Sequence, residues 1–197
     1  MTRLLYQGHA SVRITSNDGK VCYIDPFAGE GYERPCDLCL VTHEHYDHNA
    51  VDKPTPGKRM VIIRSRDMLK EGKYFTYSAF GYDVEAVPAY NSHHPKDECV
   101  GYIVKVDGLT IYHAGDTGLI PEMKDLSKLN IDYAFLPIDG FYTMSPEEAT
   151  RAADEYIRPK HLIPIHMKPG MLWDYHTDMK VTSPLAMFVR PGDEIEL

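Results

Sequence analysis

The stretch "THEHYDH", Thr42 to His48, places three histidines, a glutamate and an aspartate directly after the apolar run "LCLV". Imidazole nitrogens and carboxylate oxygens are the side-chain donors that bind divalent ions, and several must converge before an ion gives up its hydration shell. In a short turn after a strand, His43 and His45 can face the same side, while Asp47 and His48 lie further round and can serve a second ion. Glu44 and Tyr46 are then spacers. The bland alternative is a polar surface loop. It fits poorly with an internal segment that follows an apolar strand, because half-buried imidazoles and carboxylates need partners.

The elements that would position these groups are legible on either side. "SVRITSNDGKVCYID" reads as two strands around Asn17-Asp18-Gly19, and "GYIVKVDGLTIYHAGD" as two more around Asp107-Gly108. Asn, Asp and Gly tolerate the positive φ of tight hairpin turns. Each hairpin ends in an aspartate, Asp25 and Asp116, which suggests two similar halves. Further strands are expected at "MVIIRS", "DVEAVPA", "DYAFLPI" and "KHLIPI". The clearest helix is "SPEEATRAADEYI", with Ser145 as N-cap, Pro146 in the first turn, and Glu147 and Glu148 against the positive end of the dipole. This order predicts an α/β fold of mixed sheets faced by helices. Three strands deliver a candidate ligand past their carboxyl ends, namely His43, Asp116 and His166, and open α/β sheets place sites there.

Composition narrows the functional classes. A chain of 197 residues that is 43% hydrophobic can bury one sizeable core, and no linker divides it, so a single domain over 1–197 is expected. The formal charge of -8 argues against a nucleic-acid partner. The amino terminus carries neither a signal-peptide pattern nor a membrane span, which favours a cytoplasmic protein with no membrane partner. Cys36 and Cys39 form a C-x-x-C, but residues three apart in an extended strand face opposite ways, so buried reduced thiols are expected.

Taken together, these motifs resemble the metallo-β-lactamase superfamily of metal-dependent hydrolases, whose H-x-H-x-D-H hallmark is matched by "THEHYDH". Asp25 in "YIDPF" matches the first family motif, His94 in "SHHPK" the third, Asp116 in "HAGDT" the fourth and His166 in "IPIHM" the fifth, so the resemblance covers nearly the whole chain. "GHASVRI", "EEA" and "PIHM" look like the small branch that includes ascorbate-phosphate lactonase.

The resemblance implies a four-layer αββα sandwich of two mixed β-sheets flanked by helices, with a two-metal site along one edge. One ion would take His43, His45 and His94, and the other Asp47, His48 and His166. Asp116 would bridge them, and Asp25 would hold a ligand imidazole from behind. Zinc suits this donor set best, while manganese and iron accept similar ones. A hydroxide bridging the two ions would cleave a small ester-like substrate, whether lactone, thioester or phosphoester, and Asp47 would later protonate the leaving group. The competing reading is a non-catalytic protein whose ions stabilise its fold.

Several positions stay open at the level of sequence. His93 is the alternative to His94, since neighbours on an extended segment face opposite ways. His113 either stands behind the ligands or is an ordinary strand histidine. Asp139, Tyr142 and Thr143 in "PIDGFYTMSPEEA" either meet substrate or cap the following helix. His9, His161 and His176 have no local partners and read as structural or exposed, although His176 in "LWDYHTD" follows the last ligand and could line a substrate opening.

Overall fold

In the computed structural model, which describes residues 1–197, the chain opens with β1 (Arg3–Gly8), β2 (Ser11–Thr15), β3 (Val21–Ile24), β4 (Cys36–Val41) and β5 (Pro56–Arg64). A single helical turn, α1 (Ser65–Met68), and a small hairpin of β6 (Leu69–Lys70) and β7 (Lys73–Tyr74) lead to β8 (Thr76–Ala79), β9 (Tyr82–Pro88), β10 (Val100–Val106) and β11 (Leu109–His113). A 3₁₀ helix (Pro121–Leu129), β12 (Tyr133–Pro137), α2 (Pro146–Arg151), a π-helix (Ala152–Ile157) and β13 (His161–Ile165) follow, before α3 (Tyr175–Asp178) and β14 (Glu194–Glu196).

Two six-stranded sheets result, ordered β14-β1-β2-β3-β4-β5 and β13-β12-β11-β10-β9-β8. From β1 to β5 the successive pairings are antiparallel, antiparallel, parallel and parallel. The same sequence of pairings runs from β9 to β13. The recurrence suspected from the two hairpins is therefore a repeat of sheet topology. Asp107 and Gly108 both take positive φ, 52° and 82°, in the two-residue turn between β10 and β11, as an Asp-Gly hairpin requires.

The facing sides of the sheets make the main core, in which Leu4, Val12, Ile24, Leu38 and Leu40 meet Val84, Tyr102, Val104, Ile111 and Phe135. β2 and β3 are both buried along their whole length; β3 reads as an apolar run, whereas β2 alternates polar Ser11, Arg13 and Thr15 with apolar Val12 and Ile14 and buries both sets. The outer face of the second sheet is covered by helices: Ile103, Tyr112, Ala134 and Leu162 pack on Met123, Leu126, Ala149, Ala153 and Ile157. Ser145 caps α2, its Oγ accepting the Glu148 N–H while the Glu148 carboxylate accepts the Ser145 N–H, a reciprocal capping box.

The sandwich matches the expected fold class, with one layer reduced. The outer face of the first sheet, with Val21, Tyr23, Cys36 and Cys39, packs against Tyr32 and Val51 from loops, where the four-layer expectation has helices. The same cluster corrects the reasoning about the cysteines. The β4–β5 pairing shifts register between Cys36 and Leu38, where the positions from Pro56 to Val61 on β5 leave residues unpaired, and Cys36 and Cys39 join one cluster. Both are free and buried, as expected.

Candidate metal centre

Five strands end at the same edge of the sandwich, and the residues just beyond them supply the centre: Asp25 after β3, His43 after β4, Asp116 after β11, Asp139 after β12 and His166 after β13. His48 completes the turn that starts at His43, and His94 arrives from the segment between β9 and β10. Gly115, at φ 61°, lets the chain ending in Asp116 lie against Thr42; a Cβ there would stand 2.9 Å from Thr42 Cβ and 3.0 Å from the Val100 carbonyl oxygen.

Asp116 is the hub. Its Oδ2 lies 3.2 Å from His166 Nε2, 3.4 Å from both His48 Nε2 and His94 Nε2, and 3.9 Å from His43 Nε2. All five residues are at most 3% exposed. None of the four Nε2 atoms, nor Asp116 Oδ1, has a hydrogen-bond partner.

The other ring nitrogen of each imidazole is held. His48 Nδ1 is hydrogen-bonded to Asp25 Oδ2 at 2.8 Å, His43 Nδ1 to Thr42 Oγ1 at 3.0 Å and His94 Nδ1 to Asn91 Oδ1 at 3.0 Å, while His166 Nδ1 makes an ion-pair contact with Asp139 Oδ2 at 2.9 Å outside hydrogen-bond alignment. Thr42 donates its own hydroxyl to Asp25 Oδ2 at 2.7 Å, so it accepts from His43. A ring held by Nδ1–H against an oxygen presents the Nε2 lone pair, the arrangement that metal-ligating histidines adopt. Buried polar atoms without partners are rare because each forfeits its hydration. Four converging on one carboxylate fit a divalent cation.

Two groups of donor atoms, each within 4.8 Å of one another, flank this hub: His43, His45 and His94 on one side, and His9, Asp47, His48 and His166 on the other. Zinc, manganese and iron all accept such nitrogen and oxygen donors. His45 is exposed at the mouth, edge-on to His43 with ring centroids 4.5 Å apart.

Titration behaviour follows from these contacts. Burial, then the neighbouring His48, pushes His43 down to about 3. Burial works against the charge on His166, yet the Asp116 carboxylate prevails and raises it to about 9. Asp47 is held well below the usual carboxylate range: burial opposes this, and the His9 hydrogen bond and the His48 charge override it.

The remaining sequence candidates fall as follows. His93 is exposed and stacks on Phe141, with ring centroids 5.5 Å apart, so of the adjacent pair only His94 faces Asp116. His113 hydrogen-bonds to backbone and not to a ligand side chain. Its Nε2 lies 2.8 Å from the Ala10 carbonyl and its Nδ1 accepts the Gly115 N–H, so it braces backbone. Asp139 faces inward, contrary to a substrate-contacting role: Oδ2 meets His166 while Oδ1 accepts the N–H groups of Phe141 and Tyr142. Thr143 is buried, and its Oγ1 accepts the Asp139 N–H. His176 sits exposed in α3, outside the cavity lining, and His161 stacks on Tyr133. Tyr142 does line the cavity at the centre, which measures about 460 Å³ and is bounded also by Glu44, His45, Tyr46, Asp47, Asp116 and Pro169. Glu44 and Tyr46 are thus more than spacers, and Glu44 is tied to Arg64 at 2.6 Å.

Sequence reasoning missed Thr42, Asn91 and above all His9. Thr42 and Asn91 carry no signal of their own. His9 had one, a non-glycine residue in "GHAS" between two strands, but its partner Asp47 is distant in the chain.

Comparison with known proteins agrees with the geometry. A family model described as "Beta-lactamase superfamily domain" matches residues 3–166. The chain is 33% identical to a UPF0173 metal-dependent hydrolase of Thermococcus kodakarensis over 228 aligned positions, covering 100% of both chains. It is 35% identical to one of Thermus thermophilus over 191 positions, 84% of each chain. A solved chain of Parabacteroides distasonis superimposes with a TM-score of 0.77 at 31% identity, covering 95% of this chain and 92% of that one. Igni18, a metallo hydrolase of Ignicoccus hospitalis, gives 0.74 at 25% identity, covering 98% and 97%.

Proposed function

The chain belongs to the metallo-β-lactamase superfamily and is a metal-dependent hydrolase, and from that premise we propose that it uses two divalent ions to cleave a small uncharged ester, lactone or thioester. The observation that carries the reading is the convergence of four buried, partnerless Nε2 atoms on Asp116. One ion would be held by His43, His45 and His94 and the other by Asp47, His48 and His166, the two donor sets on either side of Asp116.

A pair of divalent ions supplies an ionised water near neutral pH and polarises the bond under attack. The chain's own groups do the rest. Asp25, Thr42, Asn91 and Asp139 fix the imidazole orientations, which removes reorganisation from the reaction. Asp47, held as a carboxylate by His9, faces the cavity and would take up the proton released by the attacking water and pass it to the departing alkoxide or thiolate. No serine or cysteine lines the cavity, so no side-chain nucleophile is called for.

The lining argues for the substrate's charge. It contains Glu44 and Asp47 but no lysine or arginine, the residues that clamp phosphate and carboxylate groups. Tyr46 and Tyr142 are 76% and 41% exposed at its rim and offer apolar surface to an acyl or ring moiety. The cavity opens onto Asp116, His94 and His166, whereas a purely structural site closes its coordination shell. The test is turnover on matched panels of uncharged lactones, thioesters and aryl esters against phosphate mono- and diesters. Preference for the uncharged panel is expected; preference for phosphate esters overturns the substrate class.

A further inference from the structure

The geometry points to His9 as a positioning residue for the Asp47 side of the centre, holding two ligands of one ion at once. This rests on the two-ion reading above. His9 lies in the turn between β1 and β2 and is 3% exposed. Its Nε2 is 3.1 Å from Asp47 Oδ2, leaving the other carboxylate oxygen for coordination. Its backbone carbonyl accepts the N–H of His166 at 2.8 Å and the hydroxyl of Tyr6 at 3.0 Å. Its ring lies against that of His166, with centroids 3.9 Å apart. One residue therefore sets Asp47 through its side chain and His166 through its backbone.

The backbone at His9 is held firmly in place. Its φ is 53°, in the left-handed region that few non-glycine residues adopt, although His, like Asn and Asp, tolerates it better than most, and such conformations persist where the surroundings over-determine them. The surroundings here do so. The His9 N–H donates to the Leu172 carbonyl at 2.6 Å, the preceding Gly8 is at φ 110°, and Leu172 closes over Gly8. Gly, Asn or Asp would serve the turn equally well, and none of them carries an imidazole. Histidine adds a ring long enough to reach Asp47, across 38 positions of sequence.

The experiment uses the full chain, stripped of metal and titrated with Zn²⁺ against a chromophoric chelator, then with Co²⁺ while its visible spectrum is followed. Wild type is expected to take up two ions. His9→Ala is expected to bind the first with near-native affinity and the second about 10- to 100-fold more weakly, with a changed Co²⁺ spectrum for the second ion only. His9→Gln and His9→Asn, whose amides can donate to Asp47, are expected to recover part of that loss. Asn also suits the left-handed backbone and keeps the test readable should the alanine variant misfold. Second-ion affinity within about threefold of wild type in all variants overturns the role of His9 alone. Absence of any amide rescue also overturns it, pointing to a ring nitrogen that coordinates directly. A wild type that takes up no second ion overturns the two-ion reading and this inference together.

Discussion

Asp25 orients two imidazoles from one carboxylate: its Oδ2 lies 2.8 Å from His48 Nδ1 and accepts the hydroxyl of Thr42, which in turn stands 3.0 Å from His43 Nδ1. Its Oδ1 accepts the Thr42 N–H at 2.8 Å, so all three groups are locked to a side chain at 0% exposure. Asp25→Asn puts a donor where acceptors are needed. Metal affinity should fall about 10- to 100-fold, the usual cost of losing a partner behind a ligand, as read by chelator competition. An affinity within about threefold of wild type would refute the arrangement.

Metal removal should lower thermal stability. Ligand at about a thousand times its Kd stabilises by about 4 kcal/mol, and a domain of about 200 residues shifts by about 2–4 °C per kcal/mol. Stripping the ions should therefore lower Tm by about 10 °C, measured by calorimetry with and without chelator. An unchanged midpoint would mean that the partnerless nitrogens are tolerated without metal.

Gly115→Ala should damage the fold and the centre together. The added methyl would meet Thr42 and the Val100 carbonyl at a backbone angle that favours glycine. The expected loss is about 1–3 kcal/mol by denaturant titration, with weakened metal binding because Asp116 is the next residue. A fully stable variant that also loses no metal would show that the loop can relax.

Asp178 makes stability depend on pH. Burial lifts its carboxyl to about 6; Oδ2 accepts from Trp173 Nε1 at 3.2 Å and Oδ1 has no partner. The folded state thus binds the proton more tightly than the unfolded state does. Its contribution is full below the ordinary value near 4 and is lost as pH rises through about 6. Asp178→Asn should be more stable than wild type at pH values above about 6 and nearly equal at about pH 4. Equal stability at both pH values would contradict this.

Much of this architecture could be read from residue types because its signals are local. The Asp107-Gly108 turn, the Ser145 cap and the strand ends that carry His43, Asp116 and His166 each depend on a few adjacent residues. What escaped depends on contacts between distant segments. Asp139 read as a loop residue that either meets substrate or caps the next helix, because nothing nearby reveals that His166, after the next strand, needs a partner. His9 looked structural because Asp47 lies elsewhere in the chain. The irregular pairing of β4 with β5 accompanies the clustering of Cys36 and Cys39, and a strand pattern does not announce extra residues on the neighbouring strand.

The claim on which everything turns is that two ions meet at Asp116. The most direct measurement is metal content per chain, by mass spectrometry after purification without added metal or affinity histidines, for wild type and Asp116→Asn, with ester and lactone hydrolysis followed in parallel. About two ions per wild-type chain, a marked loss in Asp116→Asn, and chelator-sensitive turnover that falls with metal content are predicted. Wild type without metal, or an Asp116→Asn chain that keeps both ions and full turnover, would contradict the account.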